Sequence, residues 1–280
     1  MTGTGARWLA GALIMACLLL AGPSASNSVY MVEPLPAGAP KEAVPNRVMT
    51  WNICNPCKDS GRNGGRAAEI AAYAPQVIGL QEACVGDVER IRDYLRYRYG
   101  LVYHVEYGSV LSSWSRCGGV PWAPGGFGQA ILSAAPMTDP VKAEYPRGGS
   151  EDRGYMAVTT LVDGLRVRVF NTHLAERRQE SFRAEQTAVL AKEVARYDRT
   201  IVLGDFNARP YASELAVMWN MARDADPECG PSGTGTCEPT TDWRSKFDYI
   251  FLRGFDPLEQ RVHLTPWSDH DLVQADLSGR

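Results

Sequence analysis

The feature that most constrains this chain is where its apolar runs stop. Val77-Ile78-Gly79-Leu80 runs into Gln81-Glu82, and Val167-Arg168-Val169-Phe170 into Asn171-Thr172-His173. Thr200-Ile201-Val202-Leu203 runs into Gly204-Asp205-Phe206-Asn207. Trp51-Asn52, Phe247-Asp248-Tyr249 and Ser268-Asp269-His270 add further amide, carboxylate and imidazole groups at expected strand ends. Short apolar runs closed by polar residues read as buried strands. One such ending is usually a turn or cap. The whole set demands a fold that gathers many strand ends at one polar pocket.

The other elements fit a layered protein. Arg47 to Ile53 is expected as the first strand, and Arg66 to Tyr73 as an Ala-rich helix stopped by Pro75. Asp87 to Tyr97 carries Val88, Ile91 and Leu95 at helical spacing. Phe182 to Tyr197 is the longest expected helix and Ser213 to Met221 a shorter one. Tyr103 to Glu106, Gly128 to Leu132, Gln260 to Leu264 and Asp271 to Leu277 read as further strands. Asp163-Gly164, between Tyr155 to Leu161 and Arg166 to Asn171, is a strong hairpin signal. Many strands in mixed order, broken by a few helices, imply two packed sheets with helices outside.

The first stretch stands apart. Arg7 precedes an apolar run from Trp8 to Ala21 and the small residues Ser24-Ala25-Ser26, the pattern of a secretory signal peptide over residues 1–26. The run is shorter than the ~20 residues a membrane span needs. A lipid-modified Cys17 is disfavoured because Leu18-Leu19-Leu20 continues the apolar region. Residues 27–46, with Pro34, Pro36, Pro40 and Pro45, are expected as an extended leader, and 47–280 as a single domain. The chain is therefore expected to be secreted and monomeric, without a stable membrane anchor.

The net charge of -3 excludes a global basic field, though a local arginine cluster could still hold phosphates. The stretch Arg90 to Tyr99 mixes arginines with tyrosines; a solvated helix face is the simpler reading. Of the seven cysteines, Cys17 falls in the leader run and the rest suggest disulfides. A zinc site on Cys54 and Cys57 lacks a second close pair.

Phosphodiester hydrolysis needs a cation on the non-bridging oxygens, a positioned water and help for the leaving oxygen. Magnesium takes one or two carboxylates together with waters and substrate phosphate. Glu82 and Asp269 suit that demand, with Asn52 as further ligand or orienter. Asp205 and Asn207 could hold the attacking water, and His270 could pair with Asp248, which would favour its charged form.

In order and content these strings resemble the endonuclease/exonuclease/phosphatase superfamily, the deoxyribonuclease-I-like group, from about Val48 to Leu277. The resemblance implies a four-layer α/β/β/α sandwich and a site dependent on magnesium or manganese, with calcium as a further option. It implies that Asn52, Glu82 and Asp269 are metal ligands or their helpers, and that Asp205 and Asn207 position water. It gives His173 a phosphate contact or general-acid role, Asp248-His270 the second acid/base pair, and Arg153 a substrate phosphate. Gln76 departs from the family, which commonly has aspartate there, at a strand start away from the site.

The implied function is a secreted nuclease acting on DNA, with RNA as a further substrate. Same-fold alternatives are a sphingomyelinase-like phospholipase and an inositol-phosphate phosphatase. A lipid enzyme would expose an apolar hairpin, for which only the Trp114 to Phe127 segment offers itself; an inositol phosphatase would need a dense basic pocket. A non-catalytic binding protein is disfavoured because every expected position is filled.

Cys229 and Cys237 bracket a flexible Gly/Ser/Thr loop and are expected to pair. If Asn52 and Glu82 meet at one metal, Cys54 and Cys84 would lie within disulfide range, leaving Cys57 for Cys117. The rival pattern, Cys54–Cys57 with Cys84–Cys117, closes a tight ring containing Pro56.

Overall fold

Alternation along the strands decides the architecture. In the first strand Val48 faces one way and Met49 and Trp51 the other, and all three are fully buried. Ile201 and Leu203 likewise oppose Val202, and Ile250 and Leu252 oppose Tyr249 and Phe251. Side chains on a strand alternate between faces. A strand apolar on both faces must therefore be covered on both.

The computed structural model describes residues 35–55, 60–232 and 236–279. In chain order its strands are β1 (Val44–Asn52), β2 (Pro75–Cys84), β3 (His104–Ser112), β4 (Gly119–Val120), β5 (Ala123–Pro124), β6 (Gly126–Ser133) and β7 (Thr138–Glu144). They continue as β8 (Gly154–Val162), β9 (Leu165–His173), β10 (Thr200–Asp205), β11 (Arg223–Asp224), β12 (Asp248–Arg253), β13 (Phe255–His263) and β14 (Leu272–Gly279). The helices are α1 (Asn63–Tyr73), α2 (Val85–Tyr99), α3 (Trp114–Cys117), α4 (Glu180–Val194) and α5 (Ala216–Trp219).

One sheet has the order β13-β14-β1-β2-β6-β3 and the other β11-β12-β10-β9-β8-β7. Val48, Val77, Ile131, Val158, Ile201 and Ile250 belong to the core between them. The outer face of the first sheet packs on α1 and α2 through Trp51, Ile70 and Ile91, and that of the second on α4 and α5 through Phe170, Leu190 and Met218. This is the expected four-layer α/β/β/α sandwich. The β8–β9 turn has φ of 53° at Asp163 and 71° at Gly164, the doubly left-handed geometry that an Asp-Gly hairpin favours.

Several elements differ from the sequence reading, three of them instructively. Strand β1 begins at Val44, inside the stretch expected as leader. Strand β7 is an exposed polar edge containing Pro140, so it shows neither alternation nor an apolar run. Ser213 to Met221 is a 3-10 turn followed by the short α5, because only Glu214, Leu215 and Met218 within those two elements are buried. The signal-peptide stretch, Cys57 and residues 233–235 lie outside the described residues. Among the described residues, no helix is long and apolar enough to cross a membrane.

The disulfides correct two expectations. Cys229 is bonded to Cys237 as expected, but Cys84 is bonded to Cys117, so neither Cys54–Cys84 nor Cys57–Cys117 forms. Cys54 is itself in a disulfide. Backbone geometry explains the error. Cys54 adopts φ of 43°, which turns the chain away, and Asn55 takes the place beside β2. The Asn55 N–H donates to the Glu82 carbonyl at 2.9 Å, and its Oδ1 accepts from the Cys84 N–H at 3.3 Å.

Candidate active site

Strand register brings the site residues together. In the second sheet Asp205 lies opposite Asp248 on one side and His173 on the other, and His173 lies opposite Gly154, next to Arg153. In the first sheet Asn52 pairs with Gln81, which places Glu82 just beyond. A bulge between Leu80 and Ala83, with Glu82 at φ of 50°, turns this carboxylate out of the ladder. Asn207 also has φ of 50°. Left-handed backbone at non-glycine residues costs about 1–3 kcal/mol each and gathers at functional sites.

Asn52 joins the two sheets. Its Oδ1 accepts from the Cys54 N–H at 3.0 Å, which fixes the amide so that Nδ2 donates to Glu82 Oε1 at 3.2 Å and Asp205 Oδ2 at 3.0 Å. In this arrangement Asn52 orients carboxylates and its amide oxygen is engaged elsewhere. Ser268 Oγ donates to the Asn52 carbonyl at 2.6 Å, and Trp51 Nε1 to the His270 carbonyl at 3.0 Å. Those two bonds hold the Ser268-Asp269-His270 turn against β1.

His270 Nδ1 lies 2.9 Å from Asp248 Oδ2, which also accepts from Thr240 Oγ1 at 2.6 Å. Its Nε2 faces Asp205 Oδ2 at 3.8 Å, and the Trp243 ring meets it edge-on. Burial alone would discharge this imidazole. The Asp248 and Asp205 carboxylates outweigh burial and push its pKa up to about 10. Asp205 is raised to about 7, chiefly by burial and against the pull of His270.

His173 behaves oppositely. Burial, then the charges of Arg153 and His270, hold its pKa well below the ordinary value, so the ring is neutral. Arg153 Nη1 donates to Nδ1 at 3.0 Å, which leaves the ring proton on Nε2. That Nε2–H faces Asp205 Oδ2 at 3.5 Å and Glu82 Oε1 at 3.8 Å, while Asn207 Nδ2, itself a donor, gives its hydrogen bond to the Leu174 carbonyl at 3.2 Å. Two histidines thus flank one buried aspartate, one charged and one neutral.

Cation-holding capacity divides between two places. Asp205, Asp248 and His270 each bring a ligand-capable atom within 4.8 Å of the others. That group is closed on itself, because the imidazolium already supplies its positive charge. Glu82 is different. Burial raises its pKa and Asp269 raises it further, while Asn52, Arg153 and His270 offset this only in part. Glu82 near the end of β2 and Asp269 on the loop before β14 are hard-oxygen carboxylates that repel each other, donors of the kind a divalent cation takes. A third group, Asp224, Asp226 and Cys229, is not a metal centre: Cys229 is in a disulfide and Lys246 Nζ sits 2.8 Å from Asp224.

The structure brings together Asn52, Glu82, Asp205, Asn207, Asp248, His173, Arg153 and His270, with Asp269 close enough to act on Glu82. Gln81 and Asn171 instead bond to each other between the sheets at 2.7 Å. Sequence reasoning missed Thr240, the hydroxyl on Asp248, because a Gly/Pro/Ser/Thr-rich loop carries no motif. It also missed Glu151, which holds Arg153 at 2.9 Å.

The family model for the endonuclease/exonuclease/phosphatase family matches residues 49–270. An endonuclease/exonuclease/phosphatase from Beutenbergia cavernae is 25% identical, with a TM-score of 0.67 over 83% of this chain and 71% of its own. The human Nocturnin catalytic domain with bound sulfate is 24% identical, with a TM-score of 0.66 over 84% and 94%. D. rerio TDP2 complexed with single strand DNA product is 19% identical, with a TM-score of 0.63 over 83% and 98%. No curated protein matches the chain.

Proposed function

Because this chain belongs to the endonuclease/exonuclease/phosphatase family, and so is a phosphoesterase of that superfamily, we propose that it is a secreted, divalent-metal-dependent nuclease. Its substrate in this reading is DNA, with RNA as a further substrate. The observation that carries it is the meeting, from both sheets, of Asp205-Asn207, the His270–Asp248 pair and Glu82 in one buried polar cluster. The disulfides and the signal-like leader support export. A same-fold protein holding a DNA product supports the substrate class.

Magnesium or manganese bound at Glu82 and Asp269 would neutralise the non-bridging phosphate oxygens. The chain supplies the rest. Asp205, poised near pH 7, accepts a proton from the attacking water, while Asn207 helps to place that water. His270 Nε2 and Asp205 Oδ2, 3.8 Å apart, are too close to flank a phosphorus atom from opposite sides. The imidazolium therefore serves the same side, stabilising charge that develops on the phosphate. His173 offers its Nε2–H to a phosphate oxygen, and Arg153 fixes that tautomer.

The test is hydrolysis of supercoiled DNA, linear DNA, RNA and sphingomyelin vesicles by the purified mature protein, with magnesium and with chelator. Metal-dependent DNA cleavage is expected; full activity in excess chelator sinks the metal reading. One observation favours a second reading. Trp122 on the β4–β5 hairpin is 84% exposed and Trp114 58%, as a lipid-inserting enzyme would require. Cleavage of sphingomyelin but not of nucleic acid would select that reading.

A further inference from the structure

Most exposed arginines of this protein have acidic partners. Arg90 pairs with Asp87, Arg92 with Asp93, Arg147 with Glu185, Arg166 with Asp139 and Arg196 with Glu193. Among the described residues Arg96, Arg98, Arg177, Arg178, Arg209 and Arg244 are exposed and meet no carboxylate at ion-pair distance, the first two of them on α2. The last four lie on loops around the site. Arg177 and Arg178 follow His173 on the loop leaving β9, Arg209 follows Asn207 on the loop leaving β10, and Arg244 adjoins Trp243, which packs on His270.

A cavity of about 460 Å³ is lined by Arg177, Arg178, Arg209 and Tyr211, and Asn207 forms part of its wall. The groove thus reaches the catalytic cluster at Asn207. Its base is fixed: Arg183 is buried and paired with Glu214 at 2.6 Å, which leaves the rim arginines as its uncompensated charges. Glu180 is the remaining carboxylate in the lining. Tyr211 is 58% exposed, and its hydroxyl accepts from Arg209 Nη1 at 2.9 Å, which holds the ring at the rim. A second cavity of about 310 Å³ shares Arg209 and Tyr211 and extends the track to Arg244.

We propose that this arginine groove holds a single-stranded segment of nucleic acid on one side of the scissile phosphodiester. Its phosphates lie on Arg177, Arg178, Arg209 and Arg244, and a base stacks on Tyr211. The proposal rests on the nuclease reading and narrows it. Guanidinium groups spaced along a groove suit successive phosphates of one strand, and an exposed ring beside them suits an unpaired base. A choline phospholipid offers a single phosphate beside a cation, which these arginines would repel. A duplex keeps its bases out of reach of Tyr211.

The test is fluorescence anisotropy of labelled single-stranded DNA and its duplex, in chelator so that nothing is cleaved, across a salt series. The triple variant Arg177→Ala/Arg178→Ala/Arg209→Ala should raise the single-strand Kd roughly tenfold or more, and the salt slope should shrink by about 0.7 for each phosphate left without its arginine. Tyr211→Ala should weaken single-strand binding more than duplex binding. Arg261→Ala, which removes one charge on the distant β13, should change little. Wild-type affinity and salt slope in the triple variant, with DNA still cleaved by the wild type, would overturn the groove and leave the nuclease reading standing. A wild type that neither binds nor cleaves nucleic acid, yet hydrolyses bis(p-nitrophenyl) phosphate or sphingomyelin, would overturn both.

Discussion

Glu82 carries a partly buried carboxylate on a left-handed backbone, two costs in one residue. Nothing in the packing of β2 requires a charge there. Replacing it with glutamine removes the desolvation cost while keeping the shape, so Glu82→Gln should melt no lower than wild type without metal. Bound ligands raise apparent stability by mass action. Manganese should therefore raise the wild-type melting temperature and leave the variant's unchanged; an equal rise in both would remove Glu82 from the metal site. The aspartate and histidines allow a pH prediction. Asp205 must be ionised to accept a proton, so the rate should climb as pH rises through about 7. His270 must stay charged, so the rate should fall as pH rises through about 10. Asp248→Asn removes the largest charge holding that proton, so the alkaline limb should move to lower pH. A limb that stays in place would show that His270 does not govern it. His270→Ala itself should cost roughly 10²-fold in kcat, the scale of a group that stabilises charge developing in the transition state.

At the scale of elements, the sequence was legible where strand chemistry is local and opaque where long-range geometry decides. The strand-end carboxylates could be read because buried strands in register must end together, as Asp248, Asp205 and His173 do. The Asp163-Gly164 turn could be read because few dipeptides tolerate two positive φ values. Strand β7 could not, since a polar edge strand resembles a loop. The hydroxyl of Thr240 and the carboxylate of Glu151 could not either, because their partners come from other elements. The disulfides failed for a related reason: equal spacing beyond Asn52 and Glu82 guarantees nearness only if both strands run straight, and both turn left-handed there. Cys84–Cys117 instead ties the Trp-bearing hairpin region to β2 just beyond Glu82, across a sequence separation of 33. Its removal in Cys84→Ala/Cys117→Ala should cost about 2–4 kcal/mol in urea unfolding. Manganese affinity should fall as well, since the turn bearing Glu82 loses its anchor. A variant equal to wild type in both measurements would show the bridge to be dispensable.

For the whole molecule, the decisive relation is between the two sheets, because each carries half of the site. Asn52 and Glu82 ride on the first sheet; Asp205, His173 and Asp248 ride on the second. The contact between them is mostly Val, Ile and Leu, which is strong but sets no register, since apolar packing is non-directional. Direction comes from a buried polar staple. Gln81 Nε2 donates to Asn171 Oδ1 at 2.7 Å and to Thr50 Oγ1 at 2.9 Å. Asn171 Nδ2 donates across the interface to the carbonyls of Leu80 at 3.0 Å and Ala130 at 2.9 Å. Gly79 makes room for it: a Cβ there would stand 2.8 Å from Asn171 Oδ1. Asn171 lies just before His173 and Gln81 just before Glu82, so the staple sets the spacing of the catalytic groups. Asn171→Ala strands one donor and weakens two carbonyls in a dry interface, and should cost about 2–4 kcal/mol. It should also lower kcat well below its melting range, because a misplacement of about 1 Å between reacting groups can cost roughly 10²-fold. Urea unfolding and turnover measured at a temperature where both proteins are folded separate the two effects. Lost stability with unchanged turnover would mean that the apolar interface alone aligns the sheets.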